Sequence, residues 1–297
     1  FQTVVNAYLY GTRFISYLAY TWSPEHVVEW LQRDEDSERY YATQFEKVFG
    51  KSLEQAWDDW IAFEHEFQRR NLEKVREYPV TQAAPLVSQA MGSISRSFVD
   101  VDSGELIGAF RYPGVVAHVG ALSLDSGKVR RIADIKGPMT YRVTSSAWDP
   151  ETRTFFYTAD NYAYRDLMAV NADTGKTRML LKDARIGDLV YDATDRSLWG
   201  LRHLNGYVSL VHVPYPYEQW NLVYQWPYGQ VAYELDVSPA GKRVSASLGE
   251  IDGSQHLVVY AVDDLRAGKA EPVTSYEFTP AVPEGFVFSG DGSHLYG

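Results

Sequence analysis

Trp148-Asp149-Pro150-Glu151-Thr152-Arg153-Thr154-Phe155-Phe156 places an apolar residue before an acid, then a polar turn, then a strand-forming run. The same order returns at Val99–Ile107, Tyr191–Trp199, Val237–Ser245 and Phe288–Tyr296. Counting between Asp100, Asp149, Asp192, Ser238 and Ser289 gives intervals of 49, 43, 46 and 51 residues. A second turn keeps a similar beat: Leu124–Lys128 and Val170–Lys176 carry Gly127 and Gly175, 48 residues apart. A period of roughly 40–50 residues with several short strands per unit is that of a β-propeller blade. One four-stranded sheet cannot bury both of its faces; neighbouring blades do this for each other, with Trp148, Tyr191, Trp199 and Phe288 as bulk between them. A β-sandwich does not repeat a turn at this interval. Four fairly complete units and the opening of a fifth are present.

Working backwards, the pattern changes near Tyr78-Pro79, and helical signals dominate before it. Ser23-Pro24-Glu25 reads as a helix start, with a capping hydroxyl, proline in the first turn and an acid favourable to the dipole. Val27, Val28, Trp30 and Leu31 would form its apolar face, and Ser37 would cap the next helix, closed by Gly50. Ser52-Leu53-Glu54-Gln55 fits a capping box opening a long helix with Trp57, Trp60, Ile61 and Phe67. Val4 to Tyr20 is apolar nearly all round, which predicts a buried helix. The fold class expected is α+β in two domains: residues 1–78, helical, and residues 79–297, an incomplete propeller of four-stranded antiparallel blades. The opening Phe1-Gln2-Thr3 and the ending inside a strand pattern suggest an internal piece of a longer protein.

Composition narrows the function classes. With 28 basic and 39 acidic residues the net charge is −11, which argues against nucleic acid as a partner. Zero cysteines remove thiol nucleophiles and cysteine-based metal sites, and no apolar run reaches the ~18 residues of a membrane span. His65-Glu66-Phe67-Gln68-Arg69 begins like a zinc-peptidase helix, but that chemistry needs a second imidazole at i+4, where Arg69 stands. Asp100-Val101-Asp102-Ser103-Gly104-Glu105 resembles the start of a calcium loop but lacks further ligands and falls on the repeated turn. No nucleophile elbow, phosphate loop or dinucleotide fingerprint is present.

The more informative polar set is Asp160, Asn161, Arg165 and Asp166 with Arg185, Asp188, Arg202 and His203. Charges beside strands of successive blades must pair or face a wet channel; inter-blade salt bridges and a ligand-facing rim are both open readings. Pro214–Tyr217, Trp220 and Trp226–Tyr228 form an aromatic segment suited to loop packing or to stacking on a carbohydrate or peptide.

Two resemblances rest on these residues. Residues 79–297, through Asp149–Thr158, Ser238–Arg243 and Phe288–Tyr296, resemble the TolB-like six-bladed propeller superfamily. That likeness implies a peptide- or protein-binding platform in the periplasm or outside the cell, or a domain gating a peptidase. Residues 1–78, through Tyr8-Leu9-Tyr10-Gly11, Tyr17-Leu18, Pro24–Trp30 and Phe49–Leu53 leading to Trp57 and Trp60, resemble the C-terminal helical part of gluzincin (peptidase MA-like) metallopeptidases. It implies a zinc site upstream of Phe1, with Zn²⁺ activating water and a glutamate as base. It also nominates Tyr8, and less well Tyr10, as stabilisers of a tetrahedral oxyanion. The parent is then expected to be a zinc peptidase whose propeller binds or restricts substrate, while this stretch alone is inactive. A non-catalytic propeller binding a peptide, glycan or protein is the alternative, and the propeller of a prolyl-oligopeptidase-type serine hydrolase a third.

Overall fold

The computed structural model describes residues 2–80, 82–88, 93–135, 145–161, 164–278 and 282–297. Two compact units divide between Ala84 and Pro85.

The first unit holds four helices, α1 (Gln2–Thr21), α2 (Pro24–Leu31), α3 (Tyr41–Phe49) and α4 (Leu53–Val75). Its core is aromatic: Phe14, Phe45, Phe49 and Trp60 are buried with Leu18, Val27 and Ala56. The Phe45 and Phe49 rings stack at 4.3 Å. The capping box forms as expected, with Gln55 N donating to Ser52 Oγ at 3.2 Å and Ser52 N donating to Gln55 Oε1 at 3.3 Å. Gly50 closes α3 in the left-handed conformation at φ 71°.

Three local expectations are corrected. Ser37 does not cap α3, which starts four residues later; its hydroxyl donates to Asp34 Oδ1 and accepts from Asp34 N, closing a tight loop instead. Ser23 occupies the N-cap position, but its hydroxyl meets His26 Nδ1 at 2.9 Å rather than the helix backbone. Helix α1 is not buried all round. Phe14 and Leu18 are inside, whereas Tyr8 and Tyr20 are 76% and 82% exposed; the side chains of residues 1–7 lie outside the described residues. The other three helices cover only one side of α1, so its apolar stripe packs and the tyrosines keep their hydroxyls in water. Val28 and Leu31 are exposed for the same reason.

The second unit is a series of antiparallel meanders. The first sheet holds β1 (Ser93–Ile94), β2 (Phe98–Asp100), β3 (Glu105–Arg111), β4 (His118–Ser123) and β5 (Val129–Asp134); β1 and β2 both pair with β3 as one interrupted inner strand. The second holds β6 (Ser146–Asp149), β7 (Thr154–Asp160), β8 (Arg165–Asn171) and β9 (Thr177–Leu181). The third holds β10 (Ile186–Asp192), β11 (Ser197–Leu204), β12 (Tyr207–Val213) and β13 (Asn221–Gln225). The fourth holds β14 (Val231–Val237), β15 (Arg243–Gly249), β16 (Gln255–Ala261) and β17 (Thr274–Phe278). A fifth begins with β18 (Val287–Phe288) and β19 (Leu295–Tyr296). Inner strand β10 touches inner strands β6 and β14, and β14 touches β18, so the sheets are blades arranged about an axis.

Alternation along the second strand of each blade shows why. On β7, Phe155 and Tyr157 enter a core shared with Ile107, Ala109, Val119 and Ala121 of the first blade, whereas Phe156 enters a core shared with Ile186, Leu198 and Val211 of the third. On β11, Leu198 faces back, and Trp199 and Leu201 face forward against Val244, Val258 and Tyr260. Both faces of a blade are therefore apolar, and each is covered by the next.

The repeated Asp or Ser caps the turn after the inner strand of the second, third and fourth blades. Asp149 Oδ1 accepts from Glu151 N at 3.0 Å, and its Oδ2 accepts from Thr152 Oγ1 at 2.6 Å. Asp192 does the same for Thr194, and Ser238 Oγ accepts from Arg243 N. A basic residue four places later reaches the previous blade. Arg153 pairs with Asp100 and with Glu105 at 3.0 Å, besides Asp173 of its own blade at 2.9 Å, and Arg196 approaches Asp149 at 4.0 Å. The Arg153 pairs with Asp100 and Glu105 and the Arg196–Asp149 approach are inter-blade contacts made by turn residues. They also answer the calcium-loop resemblance, since Asp100 and Glu105 are committed to arginine. At the other repeated turn, Gly175 has φ 68°, and a Cβ there would sit 2.9 Å from Ile132 O of the first blade.

Phe156→Ala should therefore destabilise the propeller unit by about 3–5 kcal/mol, because it empties a space between two blades. Met179→Ala, on the half-exposed outer strand β9, should change stability by less than about 1 kcal/mol. Denaturant titration of both variants checks the contrast.

Candidate functional site

The turns after the inner strands lie at one end of the blades. The opposite end collects the starts of the inner strands and the turns between second and third strands, and all eight nominated rim residues fall there. Asp160 and Arg165 are register partners on β7 and β8. Arg185 N donates to Arg165 O at 3.1 Å, joining the second blade to the segment that enters β10. Arg202 on β11 is the register partner of Ile186, and His203 follows it.

Their roles separate. Asn161 Nδ2 donates to Asp166 Oδ1 at 2.9 Å and to Asp183 Oδ1 at 2.7 Å, and Asp183 N also donates to Asp166 Oδ1 at 2.8 Å. Asn161 Oδ1 accepts from Tyr164 N at 2.6 Å. Asn161 and Asp166 thus pin two connections together. Asp188 is buried within a bulge of β10 at φ 47°. In the aromatic segment, Tyr217 and Trp226 are buried, with Tyr217 Oη donating to Arg196 O at 2.9 Å, while Tyr215 and Tyr228 are exposed.

Asp188 leads to residues that sequence reading missed. It lies four places before the turn residue Asp192, and the same step back in the other repeats reaches Arg96, Ser145, Glu234 and Gly285. Glu234 occupies an equivalent bulge, at φ 53° in β14. Here the inner strands open onto a cavity of about 1120 Å³, lined by Arg96, Tyr233, Glu234, Glu250, Gln255 and Glu284 among others. Tyr233 Oη donates to Gln255 Oε1 at 2.6 Å, and Gln230 Nε2 to Glu250 Oε1 at 3.0 Å.

Three glutamates and one arginine on this wall leave it electronegative. Burial pushes the Glu234 carboxyl above its ordinary value; the Asp188 and Glu284 charges push the same way, against the Gly285 N–H and Arg96. Burial also raises Asp236, opposed by the Phe288 N–H, which donates to its Oδ2 at 2.7 Å, and by Arg96. The fixed four-residue step before each turn was the available signal for these positions.

In the first unit, Tyr10 lines a pocket with Arg13, Glu64, His65 and Arg69, and Tyr8 is not among the described residues that line it. Tyr8 points outward, and the Tyr10 ring meets Trp60 edge-on at 6.4 Å. Zinc does not fit the residues present: among the described residues no group of three His, Asp or Glu side chains converges. Arg69, at the place of the second imidazole, is ion-paired with Glu66 and Glu73. No described helix is long and apolar enough to cross a membrane.

No family model matches the chain, and no curated protein matches it. Solved structures do. TolB from Acinetobacter baumannii aligns with a TM-score of 0.52 at 12% identity, over 65% of this chain and 45% of that one. A putative TolB from Agrobacterium tumefaciens gives 0.52 at 15%, over 66% and 70%. A nidogen/laminin complex gives 0.51 at 14%, over 68% and 70%. The second unit has a TolB-like β-propeller fold, and the chain spans less than half the length of the Acinetobacter protein.

A carboxyl whose pKa is raised by folding lowers stability once it ionises. Glu234→Gln should consequently melt higher than the parent at neutral pH. The difference should shrink as pH falls towards 4.5, the ordinary glutamate value, and close only below it, where the acid is protonated folded and unfolded alike. Thermal melts across that range check the sign.

Proposed function

We propose that the propeller unit is a non-catalytic binding module that takes a basic segment of a peptide or protein into the cavity at the end of its axis. The observation that carries this reading is the wall of Glu234, Glu250 and Glu284, against which Arg96 is the one cation among the described lining residues. Burial and mutual repulsion disfavour the charged form of Glu234, and a lysine or arginine side chain would relieve both by supplying the opposite charge and N–H donors. Open access and polar lining suit a ligand segment better than core packing. One neighbour of similar fold comes from a complex of nidogen with laminin, which agrees with the proposal without specifying the partner.

The proposal is compatible with a parent zinc peptidase, in which the propeller would hold or restrict the substrate, and with a scaffold that has no catalysis. It places the protein in the periplasm or outside the cell, the setting that the propeller resemblance implies.

Fluorescence anisotropy with a lysine-rich peptide and its glutamate-rich counterpart tests it. The basic peptide should bind and weaken with added salt, and Glu284→Gln, on an exposed connection, should weaken it by at least threefold. Equal binding of the acidic peptide, or indifference to Glu284→Gln, would contradict the assignment.

A further inference from the structure

A second arrangement, of opposite sign, lies between the second and third blades, where Arg185 leads into β10 and Arg202 stands opposite Ile186. Arg185 lies with its Cζ 3.4 Å from the centre of the Tyr164 ring, and Arg202 with its Cζ 4.7 Å from that of Trp220. Among the described residues neither guanidinium has a carboxylate within ion-pairing distance. The remaining residues of the chain include no Asp or Glu. The nearby acids Asp166 and Asp183 are engaged by Asn161. Arg202 is half-buried, and its Nε is buried with no acceptor. Two adjacent cations, one of them partly dehydrated, repel each other, and both burial and the Arg185 charge disfavour the charged form of Arg202. A guanidinium lying on a ring keeps its N–H edge open to oxygen acceptors.

We propose that Arg185 and Arg202 form an anion site in this cleft, which takes a carboxylate or phosphate group of a ligand. An oxyanion there supplies the missing counter-charge to both guanidinium groups and an acceptor for the buried Nε. Tyr164 and Trp220 hold the two cations so that little side-chain freedom is lost on binding. The site stands independently of the acidic cavity, since it uses other residues and the opposite charge.

Isothermal titration with citrate and with inorganic phosphate, at constant ionic strength against a chloride control, reads this directly. One of the two should bind with 1:1 stoichiometry and raise the melting temperature; the one that binds identifies the group as carboxylate or phosphate. Arg202→Gln and Arg185→Gln should each weaken that binding at least tenfold. Arg202→Lys, which keeps the charge and loses the fork, should weaken it less. Arg178→Gln on exposed β9 and Glu284→Gln in the cavity should leave it unchanged. If Arg202→Gln fails to fold, Arg185→Gln alone gives the same reading. Binding no stronger than to chloride, or equal weakening by Arg178→Gln, would overturn the proposal.

Discussion

A sheet with apolar residues on both faces cannot stand alone in water, and that constraint governs the second unit. Phe155 and Tyr157 point to one side of β7, and Phe156 to the other; no single partner surface could cover all three. Stacking blade on blade covers both sides at once, and the twist of each sheet turns the stack about an axis. The apolar contribution is large per residue, since burying a side chain such as Phe is worth roughly 1.5–3 kcal/mol. The arginines Arg153 and Arg196 reach the buried Asp100 and Asp149 of the preceding blade, and removing either arginine would leave a buried carboxylate without that counter-charge.

The same geometry explains why polar residues gather at one end of the axis. Inner strands converge there, and β10 and β14 bulge out of the ladder at Asp188 and Glu234, both at positive φ without being glycine. Such conformations cost of order 1 kcal/mol or more and persist only where the surroundings impose them. A bulge re-aims its side chain, here away from the inter-blade cores. Glu234, Glu250 and the arginine pair thus sit on or beside strand ends, a good base for positioning a ligand, while Glu284 comes from the connection before β18.

How much of this was legible follows from the kinds of signal involved. The blade repeat was readable because its turn chemistry is local: Asp149 and Ser238 cap backbone within five residues, so spacing alone exposes the period. The capping box at Ser52 is local in the same way. Ser37 misled because a hydroxyl has two local uses, and Asp34 competed for it. The tyrosines of α1 misled because periodicity does not say how much partner surface exists. The rim set gathers at one end of the blades through contacts across them, such as Arg185 with Tyr164, which no spacing rule supplies. Arg96, Glu234 and Glu284 are brought together from segments far apart in sequence, and only the register of the inner strands relates the first two.

Amide hydrogen exchange resolved to individual strands tests the radial blade arrangement most directly. The account predicts one ranking repeated four times: the outer strands β5, β9, β13 and β17 exchange before the second strands β3, β7, β11 and β15, because covering blades shield the middle of each sheet and leave its rim in water. An outer strand protected as strongly as its second strand, or a ranking that differs from sheet to sheet, would contradict it.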